Sequence, residues 1–344
     1  EGTILNISPI SGVIRSDQSG KQVTFGAGTQ LQQAVRELEE LGMAFPNLPD
    51  IDTQTLGGMF ATATHGTGLT LSALHSRITG YTLVTASGER LEVTAQNDPN
   101  LFAAGQVSLG ALGIITSFTV EPIKQFAMRR KVWLEAADAF LPRVMTLAKQ
   151  HRNFEFYYFP STGRVAALAH DLHSGPISGR APSEDEDPLA GLRWLRDKFG
   201  WSPSLRKMIA TYEMPDQILE ESSDRSWRLL STSRPTKFNE MEYHVPLANG
   251  LDALREVIAV ADQNHEMFFP IEVRTVAPDE AWLSPFQGGP RMSIAIHCQV
   301  EEDFSILFEQ FEPIFLKYGG RPHWGKLSSL NAAQFSKLYP RFAD

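Results

Sequence analysis

Thirteen residues near the front of the chain, LGGMFATATHGTG from Leu56 to Gly68, constrain its fold more than any other stretch. Four glycines and three threonines fall there, with neither the 3.6-residue recurrence of an amphipathic helix nor the alternation of a half-buried strand. Glycine lets a backbone pass close to another surface, and small residues can turn N–H groups toward an anion. Residues 51–68 therefore read as an ordered loop, serving either as a tight connection or as a ligand-facing wall. The loop is neither a dinucleotide fingerprint nor a phosphate loop: the glycine spacings differ, and no Gly-Lys-Ser or Gly-Lys-Thr is present.

The flanks supply a framework for it. QVTFGAG (22–28) alternates like a strand and ends in glycines. A helix is expected next, with Thr29 as its N-cap, Leu31, Ala34, Val35, Leu38 and Leu41 on one face, and Gly42 at its stop. ITGYTLVTASGERLEV (78–93) predicts a hairpin turning at Ser87-Gly88, and LGALGIITSFTVEP (109–122) a turn running into a buried strand. Beyond Pro122 the pattern changes. Apolar stripes predict helices at 137–151, 251–267 and 303–318, and alternation predicts strands near 128–134, 154–160, 164–169, 237–245, 269–276 and 291–300. The result is an α+β chain of two domains, the second an antiparallel sheet with flanking helices, divided near residues 122–128. SGPISGRAPSEDEDP (174–188) reads as an acidic surface loop.

Bulk properties exclude several classes of function. A length of 344 residues accommodates two cores. A net charge of -9 argues against nucleic acid, whose phosphates call for a basic surface. Cys298 is the single cysteine, so neither an internal disulfide framework nor a cysteine zinc site can form. No apolar run approaches the roughly 18 residues of a membrane span. A cytoplasmic location is expected, and no feature supports peripheral membrane association. The opening EGTILNIS lacks a basic or apolar leader and starts without Met, as trimming or processing would leave it.

Chemistry concentrates in the second domain. Residues two apart in a strand share a face, so Glu272 and Arg274 of PIEVRTV point one way, and Ser293, Ala295 and His297 of RMSIAIHCQV do likewise. If these strands pair, a carboxylate, a guanidinium and an imidazole gather, with Lys326 of HWGK brought in from the chain's return. Read blandly, a Glu-x-Arg pair is a solvated ion pair and a strand histidine is structural. The apolar flanks suggest burial instead, and buried charges need partners. Glu240, Glu242 and His244 alternate on one face as further candidates. His75, His151 and His173 have no metal-ligand spacing, so no metal is expected.

Three ordered motifs, GAGTQLQQAVRELEELG, LGGMFATATHGTG and VSLGALGIITSFTVEP, together resemble the second half of a PCMH-type FAD-binding domain of the vanillyl-alcohol-oxidase superfamily. Within it the chain is similar to the alditol oxidase and sugar-1,4-lactone oxidase group, and RPHWGK (321–326) and LYPRF (338–342) continue the likeness. The resemblance implies FAD, held by Gly58, Thr62, Ala63, Thr64, His65, Gly66, Thr67, Gly113 and Ile115. It implies substrate contacts at Glu272, Arg274, His297 and Lys326, with Arg274, Lys326 and His297 catalytic. It also implies an incomplete FAD-binding domain at 1–124, a substrate domain at 125–325 and a return segment at 326–344. The first pyrophosphate loop, and any histidine bonded covalently to flavin, would precede Glu1, so that this chain alone is expected to hold FAD weakly. Ser328 stands where such proteins often carry a histidine.

The implied reaction is oxidation of an alcohol of a polyol or sugar lactone by hydride transfer to flavin N5, followed by reoxidation with oxygen and release of hydrogen peroxide. Transfer of electrons to a cytochrome or quinone is the alternative, with Ser8 and Pro9 as candidate gates for oxygen. A non-catalytic protein that binds a partner is the alternative from another class.

Overall fold

The computed structural model describes residues 5–17, 21–181, 189–231 and 237–344, and two antiparallel sheets organise them. The first takes strands β1 (Val13–Ser16), β2 (Val23–Gly26), β3 (Ile78–Val84), β4 (Arg90–Thr94) and β5 (Ile114–Val120), in the order β1-β2-β5-β3-β4. Helix α1 (Leu31–Glu40) buries Leu31, Ala34, Val35 and Leu38, which join Phe25, Phe60 and Phe118 in one core. The predicted hairpin forms, and Gly88 takes φ 84° in its turn.

Two local expectations fail here. Thr29 does not cap α1: Gln30 holds the N-cap position without a side-chain bond. The Leu31 and Gln32 amides donate to the Gln54 and Asp52 carbonyls instead, so the helix needs no hydroxyl there. Thr29 Oγ1 donates to the Gly26 carbonyl at 2.6 Å and accepts from the Gly12 amide at 2.9 Å. Residues 56–68 are also not loop throughout, since Leu56–Ala61 form a short helix, α2. Two glycines make it a poor helix by propensity, yet Leu56, Met59 and Phe60 are buried, and Phe60 meets Phe118 edge-on at 4.9 Å. Tertiary packing overrides propensity. Residues 62–68 remain irregular, turned by Ala63 at φ 58°.

The second sheet has eight strands: β6 (Ala127–Ala136), β7 (Asn153–Phe159), β8 (Arg164–His173), β9 (Gln217–Arg225), β10 (Phe238–Pro246), β11 (Ile271–Val276), β12 (Arg291–Gln299) and β13 (Arg321–Pro322). Their order is β9-β6-β8-β7-β11-β12-β10-β13. One face is apolar: Phe154, Phe156, Met241, Tyr243, Ile271, Val273, Ile294 and Ile296 pack under Phe140, Leu254, Val257, Phe311 and Phe315 of the covering helices. The expected 137–151 helix is interrupted at Leu141–Arg143, where Pro142 imposes a tighter turn. Helix α3 spans Leu247–Gln263, four residues earlier than expected, and 303–318 becomes a π turn followed by Glu312–Lys317. Strand β9 and the helices Ala190–Phe199 and Pro203–Glu213 were not anticipated. Within the acidic loop, 182–188 lie outside the described residues.

The sheets are joined by buried polar bonds. Thr67 Oγ1 donates to the Phe154 carbonyl at 2.5 Å, the Gly68 amide to Thr275, and Asn153 Nδ2 to both Asn47 Oδ1 and the Thr67 carbonyl. The 62–68 loop is thereby pinned against the polar face of the second sheet.

Candidate active site

Strand register builds the site. Across the sheet, Glu155 of β7 lies opposite Arg274 of β11, Arg274 opposite Ser293 of β12, and Ser293 opposite His244 of β10. Two residues along, Tyr157, Glu272, Ala295 and Glu242 form a second row, and His297 pairs with Glu240 beyond it. Side chains in register share a face. Glu272, Arg274 and His297 therefore stand together, as the alternation predicts, and Glu240, Glu242 and His244 join them.

Glu242 is the hub. Its Oε1 accepts from Arg274 Nη2 at 2.6 Å and from Ser293 Oγ at 2.5 Å, and lies 3.1 Å from His65 Nε2. Burial alone would raise this carboxyl, but Arg274 and His65 outweigh burial and hold it well below its ordinary value. Arg274 also lies 3.4 Å from Glu272 Oε2, and burial, which would lower the guanidinium, loses to Glu242 and Glu272. Tyr157 donates its hydroxyl to Glu272 at 2.8 Å. Partial burial and then Glu272 push Glu155 up to about 7. Ser293 has one proton, which goes to the ionised Glu242, so His244 Nδ1 must donate to Ser293 Oγ at 2.8 Å. His244 Nε2 is left buried without a partner, and burial, then His65, hold the ring neutral, well below its ordinary pKa.

A second cluster adjoins the first. Lys326 Nζ donates to Glu240 Oε2, and His297 Nε2 lies 3.7 Å from Glu240 Oε1. Burial would raise Glu240, but His297 and Lys326 bring it down to about 2. His297 Nδ1 faces the Pro270 carbonyl at 3.0 Å and must donate there, so a proton on Nε2 makes the imidazolium that holds Glu240 down, and its loss leaves Nε2 as an acceptor. Ligand atoms of His65, Glu242 and His323 lie within 4.8 Å of one another, as do those of Glu240, Glu272 and His297. Guanidinium and ammonium groups already occupy these carboxylates, taking the place a metal would need.

A cavity of about 190 Å³ opens where the sheet face meets the 62–68 loop, and Thr62, Thr64, His65, Glu272, Arg274, His297 and Lys326 all line it. One water needs only roughly 10–15 Å³ counted the same way. Glu240 and Glu242 line the cavity too, as do Pro49, Asp50, Ile51, Gln54, Phe238, His323 and Gly325, which the sequence does not single out. NFEFYYF carried a signal for Glu155 and Tyr157, which alternate with buried phenylalanines, and HWGK one for His323. Ser328 faces away from the cavity, donating to Glu312 at 3.2 Å beside Tyr243. Ser8 and Pro9 are exposed and do not line it.

The residues expected to hold a cofactor do not share one setting. His65 and Thr64 belong to the cavity, and Thr67 is committed to the Phe154 carbonyl. Gly66 and Gly113 are glycines for packing reasons: a Cβ on them would meet Leu48 O at 2.3 Å and Val84 O at 2.4 Å. Gly58 and Thr62 front an open surface, continued by Leu109, Gly110 and Leu112, and the Leu109 amide ties that turn to the Ala61 carbonyl at 3.3 Å. Ala63 is fully buried, and Ile115 packs with the first core. The amides of Leu56, Gly57, Gly58, Met59, Ala63, Thr64 and Gly68 are spent on internal bonds, so the segment is a wall more than an anion cradle.

Comparison with known proteins agrees with this architecture. The family model "D-arabinono-1,4-lactone oxidase" matches residues 118–344, and the model "FAD binding domain" matches 1–94. L-gulono-1,4-lactone dehydrogenase of Mycobacterium tuberculosis is 31% identical over 99% of this chain and 80% of its own length. L-gulonolactone oxidase of Mus musculus is 27% identical, covering 99% of this chain and 80% of its own, and alditol oxidase of a Streptomyces species is 26% identical, covering 100% and 80%. Among solved structures, a solvent-stable cholesterol oxidase superposes with a TM-score of 0.77 over 94% of this chain and 74% of its own, at 16% identity, a likeness of fold alone. No described helix is long and apolar enough to cross a membrane. With more than half of its length matched by the first family model, the chain belongs to the D-arabinono-1,4-lactone oxidase family, FAD-dependent oxidoreductases related to enzymes of sugar lactones and alditols.

Proposed function

We propose that the enzyme oxidises an alcohol group of a neutral polyol or sugar lactone bound in the cavity between the 62–68 loop and the second sheet. The observation that carries this reading is the convergence of Glu272, Arg274, His297 and Lys326 on one cavity that also touches Thr62 and His65. In this reading residues 1–124 serve the cofactor, 125–325 the substrate, and 326–344 return to the first domain.

FAD fits what the chain offers beside that cavity. Leu109 and Leu112 are exposed apolar side chains, Gly110 has nothing within 4 Å of a Cβ position, and Gly58 only Thr55 Oγ1 at 3.5 Å. Gly58, Thr62, Leu109, Gly110 and Leu112 would hold it, and when bound it supplies the hydride acceptor at N5. The chain's own part is to bind, orient and deprotonate. Carboxylates of Glu272 and Glu240 accept hydrogen bonds from substrate hydroxyls. His297, fixed by Pro270 with Nε2 bare, takes the hydroxyl proton, and Glu240 at 3.7 Å stabilises the imidazolium that results. Arg274 and Lys326 balance charge developing on the substrate oxygen.

The test is anaerobic mixing of the FAD-loaded enzyme with L-gulono-1,4-lactone or a five- or six-carbon alditol. Bleaching of the flavin band supports the reading, and no bleaching with any of them refutes it. Oxygen is our proposed acceptor, with stoichiometric hydrogen peroxide the expected product. The 31% identical relative is named a dehydrogenase, so the second reading passes electrons to a cytochrome or quinone. Fast oxygen reoxidation of the reduced enzyme separates the two.

A further inference from the structure

The segment that carries Lys326 is held from both sides of the second sheet. His323, Gly325 and Lys326 line the cavity on the polar face. The amides of His323 and Leu327 donate to the Glu242 and Glu240 carbonyls at 2.9 Å each, so the segment follows the edge of β10 beyond the short strand β13. Leu327 then packs on the apolar core of the opposite face. Ser328 and Ser329 meet Glu312 there, at the start of the helix Glu312–Lys317.

Glu312 has no packing reason to be acidic. It is 2% exposed, and no Lys, Arg or His among the described residues pairs with it. A buried carboxyl without donors is costly. Four donors meet this one: the Tyr243 hydroxyl at 2.5 Å, the Ser328 hydroxyl at 3.2 Å, the Ser329 amide at 2.9 Å and the Ser329 hydroxyl. Three of them come from the two residues that follow Leu327, and Tyr243 belongs to β10. The carboxyl thus ties the returning chain to the back of the strand whose front presents Glu240 to Lys326. An ammonium on a flexible stem is placed by what fixes its backbone and by its partner.

Resting on the proposed function, we infer that Glu312 is a positioning residue for the reaction, outside the cavity, and that it acts through Lys326. Lys326 balances charge that develops only as the hydride leaves, so misplacing it slows flavin reduction without an equal loss of substrate binding. A shift of about 1 Å can cost as much as about a hundredfold in rate.

A double-mutant cycle tests this in the FAD-loaded, full-length enzyme. Anaerobic flavin reduction by L-gulono-1,4-lactone or D-sorbitol, whichever reduces the parent, is followed by stopped flow. Glu312→Ala should lower the limiting rate about tenfold or more and move the half-saturating concentration by less than about threefold. Glu312→Gln keeps an acceptor for the Ser329 amide and a donor for its hydroxyl, and should stay within about threefold of the parent rate. In a Lys326→Met background, Glu312→Ala should slow reduction by no more than about twofold further, because its route to the reaction is already gone. Should Glu312→Ala fail to fold, Ser328→Ala combined with Ser329→Ala, which loosens the clasp and leaves the buried carboxyl in place, carries the same cycle. Equal slowing in both backgrounds, a parental rate in Glu312→Ala or in the serine pair, or a Gln variant as slow as the Ala variant overturns the inference while the proposed function stands. Lys326→Met reducing at the parental rate removes Lys326 from the proposed mechanism, and this inference falls with it.

Discussion

At the scale of single residues, Glu242 holds the most. One oxygen takes hydrogen bonds from a guanidinium and a hydroxyl and faces an imidazole, all in a buried setting. Replacing it by Gln leaves Arg274 and its neighbours without that charge. Glu242→Gln should cost about 3–5 kcal/mol of stability, the range for breaking a buried pair, read from urea unfolding, and should slow flavin reduction. An unchanged urea midpoint would show that the pair is not the anchor drawn here. The alternation of residues told which of these side chains share a face, and so Glu272, Arg274 and His297 could be named in advance. It could not tell that β10 lies beside β12, and for that reason Glu242 looked no more important than Glu240. Acid sensitivity belongs to this scale too. His170 accepts from Arg130 at 3.0 Å, and burial, then Arg130, push it down to about 3. The unfolded chain binds that proton near 6.5 and the folded chain only near 3, so stability is complete above 6.5 and falls as pH drops through that window. The slope should be about 1.4 kcal/mol per pH unit for each such group. His170→Gln should flatten it in pH-dependent thermal unfolding, and an unaltered slope would assign the acid sensitivity elsewhere.

At the scale of elements, the glycine-rich wall separates folding from binding. Gly113 takes φ 134° and a Cβ there meets Val84 O at 2.4 Å, whereas Gly58 lies on the exposed side of α2 with only Thr55 Oγ1 at 3.5 Å. Gly113→Ala should therefore lose about 1–3 kcal/mol from strain. Gly58→Ala should leave stability unchanged or slightly higher, as helix propensity favours Ala, while weakening FAD retention where the added methyl meets the cofactor. Flavin absorbance after gel filtration, set beside melting temperature, distinguishes the two. Normal flavin content in Gly58→Ala would move the cofactor away from this surface. Such elements were legible where periodicity is strong, as in α1, the 78–93 hairpin and the long strands of the second sheet. They were not legible where packing overrules propensity, as in α2, or where Pro142 breaks an apolar stripe that otherwise continues.

At the scale of the whole molecule, the site exists only because the 62–68 loop is held against the second sheet. Among the polar groups of the seam Asn153 is central: fully buried, it spends both amide hydrogens, one on Asn47 Oδ1 at 2.9 Å and one on the Thr67 carbonyl at 2.8 Å. Thr67 lies two residues from His65, which reaches Glu242 across the same seam. Asn153 does not line the cavity, so its effect on catalysis must travel through the loop. Asn153→Asp sets a carboxylate against two acceptors and removes both donors, and Arg152 Nη1, which donates to Oδ1 at 2.6 Å, offsets only part of that charge. That should cost about 2–4 kcal/mol, the penalty of buried groups left unpaired together with a buried charge. It should also lower turnover by loosening His65 from Glu242. Asn153→Ala removes the donors without adding charge and should do less. If the seam couples the domains, thermal unfolding of the Asp variant, followed by calorimetry, should broaden or split into two transitions where the parent shows one. A single sharp transition at the parent's temperature, with turnover intact, would mean that apolar contacts alone hold the sheets in register. The buried amide network would then be a consequence of domain docking and not its cause.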